Sequence, residues 1–209
     1  MKKIFCSFVF CSALLVAAAQ SDKYTAVMQK NIALLDAAKT VADLQDVAAA
    51  FARVGDAEKT QWLPYYYAAL AQTWIGWRPD VKDKDANAEK VKIFLAKAGA
   101  IEKNAELYAI ENMVATQQMI VDPQTRWQTN GMEAAAALQN GLKLDPNNPR
   151  LHYLQGESLF GTPVQFGGGK DKAKPVFEKA VALFKAAKPK PLYPTWGQQQ
   201  AEEKLALCQ

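Results

Sequence analysis

Residues 142–149, LKLDPNNP, join two stretches in which apolar side chains recur every three or four residues. Asn148 stands directly before Pro149 within them. This order is typical of a helix start, because asparagine caps free backbone N–H groups and proline is favoured at the first helical position. The eight residues therefore predict a short turn that ends one helix and begins the next.

Helical periodicity continues on both sides of this turn. Alanine and leucine recur at positions i, i+3 and i+4, and the alternation of β-branched residues that is typical of strands is absent. Thr40 with Asp43, and Thr195 with Gln198, show the spacing of capping boxes. Helices are predicted near residues 22–38, 41–54, 61–77, 86–102, 105–120, 130–143, 149–161, 171–187 and 195–207. The sequence thus predicts an all-α protein.

Two single residues set further helix boundaries. Gly55 follows an apolar run and suits the position just beyond a helix C-terminus. Pro64 is tolerated only in the first turn of a helix, so the third helix is predicted to begin near Thr60 or Gln61.

Small and aromatic residues stand at regular distances from the turn at 142–149. Two helices approach closely only where side chains are small, and an aromatic ring fills the space beside the crossing. The turn resembles the link between successive tetratricopeptide repeats (TPRs), and the residues that match the small and aromatic positions of that family are Ala134, Leu138, Gly141, Gly156, Ala173, Phe177 and Ala180. The resemblance covers 105–187 as two units and 61–102 more weakly as a third. It implies a TPR-like right-handed α-α superhelix of antiparallel helix pairs.

The sequence departs from the TPR pattern at several positions. Gln155 replaces the usual leucine, and Lys103 stands near the usual inter-repeat proline. The loops 121–129 and 162–170 are longer than hairpin turns, so they are predicted to be either lips over a groove or packed loops. The stretch 147–184 is also similar to secreted TPR-like proteins of Bacteroidota-type bacteria, a group without a settled activity. That resemblance implies a compartment and a fold, and no mechanism.

The first nineteen residues have the three parts of a secretory signal peptide. The basic Met1-Lys2-Lys3 precedes an apolar run, Ile4–Val16, and Ala17–Ala19 supply the small residues that signal peptidase recognises. The run is shorter than the roughly 20 residues of a spanning helix, and no cysteine follows the small residues, as it would in a lipoprotein. We therefore predict a cleaved signal peptide at 1–19, a single domain at 20–209, and a periplasmic or secreted protein with no lipid or integral membrane anchor.

Composition argues against several classes of function. The chain has 25 Lys and Arg against 21 Asp and Glu, a net charge of +4, which is too small and too evenly spread to predict a nucleic-acid partner. One histidine and three cysteines leave few of the side chains from which most hydrolases, oxidoreductases and transition-metal sites are built. We therefore predict a non-enzymatic protein without catalytic residues, metal or cofactor.

Three local patterns imitate chemical sites without completing them. Asp83 begins a calcium-loop-like stretch, but its sixth and twelfth positions are Ala88 and Phe94 rather than glycine and glutamate. Gly167–Lys170 imitates a phosphate-binding loop without its first glycine or a preceding strand. His152 has neither a histidine nor a cysteine partner nearby. These patterns are interpreted as a helix start, a flexible turn whose amides could hold a small anion, and a packing or groove-wall residue.

An apolar, mostly aromatic stripe follows one face of the third predicted helix. Its members, spaced by three or four residues, are Trp62, Tyr66, Leu70, Trp74 and Trp77. One interpretation is packing between neighbouring helices. The other is that part of the stripe lines a concave surface for a peptide or a sugar, and the sequence leaves both open.

The predicted function is capture of a protein or peptide partner in a groove lined by the first helix of each repeat. The predicted partner-binding residues are Arg150, Tyr153, Glu157, Phe160, Met113, Gln117, Tyr66 and Leu70. Arg150 and Glu157 are expected to be accessible and to fix polar ends of the partner. The alternatives are a periplasmic carrier of a small, carbohydrate-like ligand, and an oligomerising structural protein with an apolar face at the terminal helix, which would carry Trp196. A homo-oligomer is compatible with each of them.

Overall fold

The computed structural model describes residues 22–209, and these residues are mostly helical. In chain order the helices are α1 (22–37), α2 (Val41–Glu58), α3 (Leu63–Gly76), α4 (Lys84–Ile101), α5 (Ala105–Met119), α6 (Pro123–Arg126), α7 (Met132–Leu144), α8 (Pro149–Gly161), α9 (Lys170–Ala186) and α10 (Gln198–Ala206). A π-helical turn lies at Trp127–Gly131 and a 3₁₀ turn at Val164–Phe166. No strand occurs in this range, so the predicted all-α class is confirmed. The predicted signal peptide lies outside the described residues.

The helices pack as an array of antiparallel neighbours. From α2 to α5 each helix packs against the next, α5 packs against α7, and α8, α9 and α10 pack in succession. α5 also contacts α3 and α8, so these three helices form a row beside which α4, α7 and α9 pack. In the part of the chain that the structure describes, no helix combines the length and the apolarity needed to cross a bilayer.

Two predicted helix starts are confirmed by their caps. The Thr40 hydroxyl accepts from the backbone N–H of Asp43 at 3.1 Å, and the Asp43 carboxylate accepts from the N–H of Thr40 at 2.8 Å. At the start of α8, the Asn148 side chain accepts from the N–H groups of Arg150 and Leu151 at 3.0 and 3.2 Å. Local hydrogen bonding sets both boundaries, which is why a short stretch of sequence predicts them.

The predicted helix end at Gly55 is wrong. α2 continues to Glu58 and stops at Lys59, whose φ of 51° is left-handed. Gly55 therefore lies inside the helix. A Cβ there would stand 2.7 Å from the ring of Tyr65, so the small size of Gly55 serves packing against α3. Pro64, by contrast, lies in the first turn of α3 as predicted.

The predicted capping box at Thr195 is also absent. α10 begins only at Gln198, preceded by Gly197 with φ of 106°. Trp196 turns back toward α3 instead, and its indole N–H donates to the hydroxyl of Tyr66 at 2.7 Å. Packing of this ring on a distant helix therefore decides the local backbone here.

Small residues form the contact between α8 and α9. A Cβ on Gly156 would lie 2.5 Å from the ring of Phe177. Ala173, Phe177 and Ala180 are fully buried. The predicted close crossing of helices at these positions is confirmed.

The two long loops are packed at their bases. In the loop 121–129, Arg126 donates to the carboxylate of Asp85 at 2.8 Å. In the loop 162–170, the N–H of Gly169 donates to a carbonyl of α8 at 2.8 Å. The tip of the second loop remains exposed, since the first and last residues of its 3₁₀ turn are each 76% exposed.

Candidate functional site

A cleft of about 560 Å³ lies between α4 and α5. Its lining residues come from one face of each helix and from the turn between them: Lys92, Leu95, Ala96, Gly99, Ala100, Lys103, Asn104, Leu107, Tyr108 and Glu111. Within each helix they are spaced by one, three or four residues, which places them on one side. The volume falls in the range of small-molecule sites.

Small side chains keep the cleft open on the α4 side. Ala96, Gly99 and Ala100 present little bulk, and a Cβ on Gly99 would meet nothing nearer than Leu107 at 3.8 Å. Leu95 and Leu107 are buried beneath them. These small and apolar side chains form the floor of the cleft.

Cationic side chains stand toward both ends of this floor. Lys92 lies in α4 and Lys103 lies in the turn that follows this helix, and both are exposed. Lys92 makes an exposed ion pair with Glu89 at 2.9 Å, which contributes little to stability. The lining of the cleft therefore includes two ammonium groups.

Tyr108 and Glu111 form the polar part of the α5 wall. The Tyr108 side chain is half-buried. Glu111 is exposed, yet the cleft walls desolvate its carboxyl and raise its pKa above the ordinary value of 4.5, while the charge of Lys103 acts in the opposite direction. Burial therefore disfavours the ionised form of Glu111, and Lys103 partly compensates for this effect.

The cleft is lined mainly by apolar side chains and two lysines. It contains neither a histidine nor a cysteine, and so lacks the usual nucleophile and base pair. Across residues 22–209 no group of three or more histidine, cysteine, aspartate and glutamate side chains is arranged to hold a metal ion. An apolar lining with two ammonium groups matches a largely apolar ligand that carries carboxylates.

Most of the predicted groove residues lie in the interior. The buried members of that set are Tyr66, Leu70, Met113, Gln117 and Arg150. The expectation that Arg150 is accessible is corrected: it is 8% exposed, because its guanidinium is paired with Glu106. Likewise, the Gln117 amide donates to the carbonyl of Thr73 at 2.7 Å. These five side chains pack and hydrogen-bond internally instead of forming an open surface.

The chain's own segment 187–197, here called the strap, covers part of this region. The hydroxyl of Tyr67 donates to the carbonyl of Leu192 at 2.8 Å. The rings of Trp62 and Tyr193 meet edge to face at 5.6 Å. The strap thus lies against the N-terminal ends of α3 and α8.

The other three predicted groove residues, Tyr153, Glu157 and Phe160, are half-buried where α8 meets α10. Lys204 of α10 donates to Glu157 Oε2 at 3.0 Å and lies 5.1 Å from the ring centroid of Phe160. Glu157 Oε1 is buried without a hydrogen-bond donor among the described residues. A role of these three residues in partner binding stays a prediction.

The aromatic stripe of α3 belongs mainly to the core. Trp62, Tyr66 and Leu70 are buried and Trp74 is partly buried. Only the last member, Trp77, is exposed, at 43%. Packing between helices is therefore the interpretation that the structure supports for most of the stripe.

The three sequence patterns that resemble a calcium loop, a phosphate-binding loop and a histidine site have structural roles. Asp83 caps α4 by accepting from the N–H of Ala86 at 2.8 Å. The Nε2 atom of His152 lies 2.8 Å from the carbonyl oxygen of Pro146, within hydrogen-bond distance. Gly169 has a φ of 101°, which a glycine adopts readily.

None of the cleft residues was a predicted site residue. A signal was present, since Ala96, Gly99 and Ala100 form a small-residue face on one helix. The same pattern is typical of a close helix crossing, as at Gly156, so only the packing distinguishes an open floor from a tight contact.

The chain is similar in structure to the HusA haemophore from Porphyromonas gingivalis, with a TM-score of 0.82 and 36% sequence identity. The similarity covers 88% of this chain and 92% of that chain. No protein-family profile matches the chain, and no curated protein matches it in sequence. The match extends over nearly the full length of both chains, so it includes the helices that form the cleft.

Proposed function

This chain belongs to the family of the HusA haemophore, and we propose that it carries a haem-like ligand in the cleft between α4 and α5. Family membership supports a non-enzymatic binding protein. Of the functions that the sequence left open, it favours the small-ligand carrier over peptide capture. The proposed ligand is a porphyrin rather than a carbohydrate.

The observation that carries this proposal is the apolar floor with a lysine toward each end. Haem combines a flat apolar ring with two carboxylates. Burying the ring contributes about 25 cal/mol for each Å² of apolar surface, and Lys92 and Lys103 offer charge-assisted hydrogen bonds to the carboxylates. Tyr108 offers an aromatic face beside the ring.

The donor set of the cleft limits how an iron atom could be held. His152 is buried on α8 and hydrogen-bonded to Pro146, so its imidazole is not placed to serve as an axial ligand. Tyr108 supplies the one phenol in the cleft, and a tyrosine can ligate haem iron. Apolar contact and the lysines are therefore the main sources of affinity in this proposal.

The test is a haem titration followed by the change in haem absorption. Lys103→Glu is expected to weaken binding about tenfold or more, which corresponds to about 1.4 kcal/mol. Gly99→Leu is expected to abolish binding by filling the floor. Lys90→Glu, on another face of α4, makes the same charge change as Lys103→Glu and should bind as the wild type does.

The result separates two kinds of failure. A wild-type protein that does not bind haem contradicts the proposed function. Wild-type binding that survives both Lys103→Glu and Gly99→Leu places the ligand outside this cleft.

A second candidate function is capture of a peptide at Tyr153, Glu157 and Phe160. It is favoured by Glu157 Oε1, which is buried and accepts no hydrogen bond from residues 22–209, so that a partner that opens this contact could donate to it. Tyr153→Ala tests it: unchanged thermal stability with loss of partner capture supports a groove. A large fall in melting temperature assigns Tyr153 to packing alone.

We further infer that the antiparallel array is a TPR-like right-handed superhelix in one domain, 20–209, and that the protein is exported after cleavage of 1–19. The first part is supported by the small residues where α8 crosses α9. The second is supported by the signal-peptide pattern of the sequence. The intact mass of the exported protein tests cleavage, and a mass that includes 1–19 or an acyl chain contradicts it.

A further inference from the structure

A buried ion pair joins α5 to α8. Glu106, in the first turn of α5, is 7% exposed, and its partner is Arg150, in the first turn of α8. The Arg150 guanidinium donates to both carboxylate oxygens of Glu106, each at 2.6 Å. The Asn148 amide donates to the same carboxylate at 2.6 Å. This two-pronged geometry fixes the orientation as well as the distance of the two helix ends.

The strap holds Arg150 from the other side. The guanidinium carbon lies 5.8 Å from the ring of Trp196 and 6.0 Å from the ring of Phe184. Its Nη1 atom donates to the carbonyl of Trp196 at 3.5 Å. Arg150 therefore lies between α9 and the strap while it pairs with α5.

The first turn of α5 also forms a wall of the cleft. Glu106 and Tyr108 are two positions apart, about 200° around the helix, so they lie on opposite sides of it. Asn104, Leu107 and Tyr108 face the cleft, and Glu106 faces α8. On the cleft side the turn is held locally, because the Asn104 side chain accepts from the N–H groups of Glu106 and Leu107 at 3.1 and 3.3 Å. The ion pair with α8 adds a long-range contact on the opposite side of the turn.

We propose that Arg150 is a positioning residue for the cleft: through Glu106 it fixes the first turn of α5, and with it the wall that contacts the ligand. The ligand part of this inference rests on the proposed function. Arg150 itself is buried on the far side of α5 and touches no ligand.

The experiment compares Arg150→Met with Lys204→Met in the full chain. Lys204→Met removes a partly buried ion pair to Glu157 between α10 and α8, away from α5. Haem affinity is measured well below the melting temperature of each variant. Hydrogen exchange is measured for the amides of residues 108–113.

Arg150→Met is expected to weaken haem binding at least fivefold and to speed exchange in 108–113 selectively. Lys204→Met should change neither quantity. Arg150→Lys keeps the charge without the two-pronged geometry, so it should restore both quantities in part. If Arg150→Met does not fold, the double variant Glu106→Gln/Arg150→Met removes the unpaired charge and is expected to show the same weakened binding and faster exchange.

Several outcomes overturn the inference. These are wild-type affinity and exchange in the folded variant, equal effects of Lys204→Met, and faster exchange spread evenly over the chain. If the wild type does not bind haem but Arg150→Met still speeds exchange only in 108–113, the proposed function fails while the positioning role stands.

Discussion

Glu111 stands in a cleft whose other charged side chains are lysines. Desolvation by the cleft walls raises the pKa of its carboxyl, and Lys103 opposes the rise. A raised pKa in the folded state means that folding disfavours the ionised form. The stability of the protein that depends on neutral Glu111 is complete below its ordinary pKa and is lost as the pH rises through the folded value.

The first prediction is therefore a pH-dependent effect of Glu111→Gln. At pH well below 4.5 the variant and the wild type should have similar free energies of unfolding, since the wild-type side chain is neutral. At neutral pH the variant should be the more stable. Urea unfolding at a series of pH values measures the difference, with Glu178→Gln, an exposed substitution on α9, as the control. A difference at pH 7 no larger than that at low pH would contradict the assigned environment.

At the scale of the helices, the contact between α8 and α9 depends on small residues. Gly156 leaves room for the ring of Phe177, and Ala180 on the same helix as that ring is fully buried. Protein interiors have little spare volume, so an added side chain there forces neighbouring atoms to move.

The second prediction is that Ala180→Leu lowers the free energy of unfolding by about 1 to 3 kcal/mol through overpacking. Ala182→Leu is the matched control, because Ala182 lies two positions away on α9 and is exposed. It should change stability by no more than about 0.5 kcal/mol. Thermal or urea unfolding of both variants gives the answer, and similar stabilities for the two would show that Ala180 is not at a tight crossing.

Over the whole molecule, the strap connects the C-terminal helices to α3. Its contacts include the hydrogen bond from Trp196 to Tyr66 and the ring pair of Tyr193 with Trp62. Leu192 adopts a left-handed φ of 67° within it, a conformation that costs free energy for a residue with a Cβ. Long-range packing of the strap compensates for this cost.

The third prediction concerns the contacts between the strap and α3. Trp196→Ala should reduce the free energy of unfolding by about 2 to 4 kcal/mol, somewhat less than for a fully buried ring, since Trp196 is partly buried. Trp127→Ala, at a ring that is 55% exposed, should change it by less than about 1 kcal/mol. Urea unfolding measures both, and equal losses would mean that the strap adds nothing to the stability of the array.

The sequence by itself determined the helical class and the features that arise within a few residues of one another. Thr40 and Asn148 cap their helices as predicted, because a cap is a bond between neighbours in the chain. The close helix crossing at Gly156 and Ala180 could also be predicted, since such a crossing needs small residues at a regular spacing. The predicted cap at Thr195 fails because the neighbouring Trp196 packs against α3, a contact that local sequence does not predict.

Only the tertiary structure decided which helix faces are covered. Tyr66 and Arg150 show helical spacing that fits a groove, yet Trp196 of the strap, 46 residues beyond Arg150 in the chain, packs against both of them. Gly99 shows spacing that fits a crossing, yet a cleft opens beside it. The physical reason is that periodicity states which side chains share a face, whereas the free energy of burying that face depends on non-local partners. The site of this protein is defined by those partners.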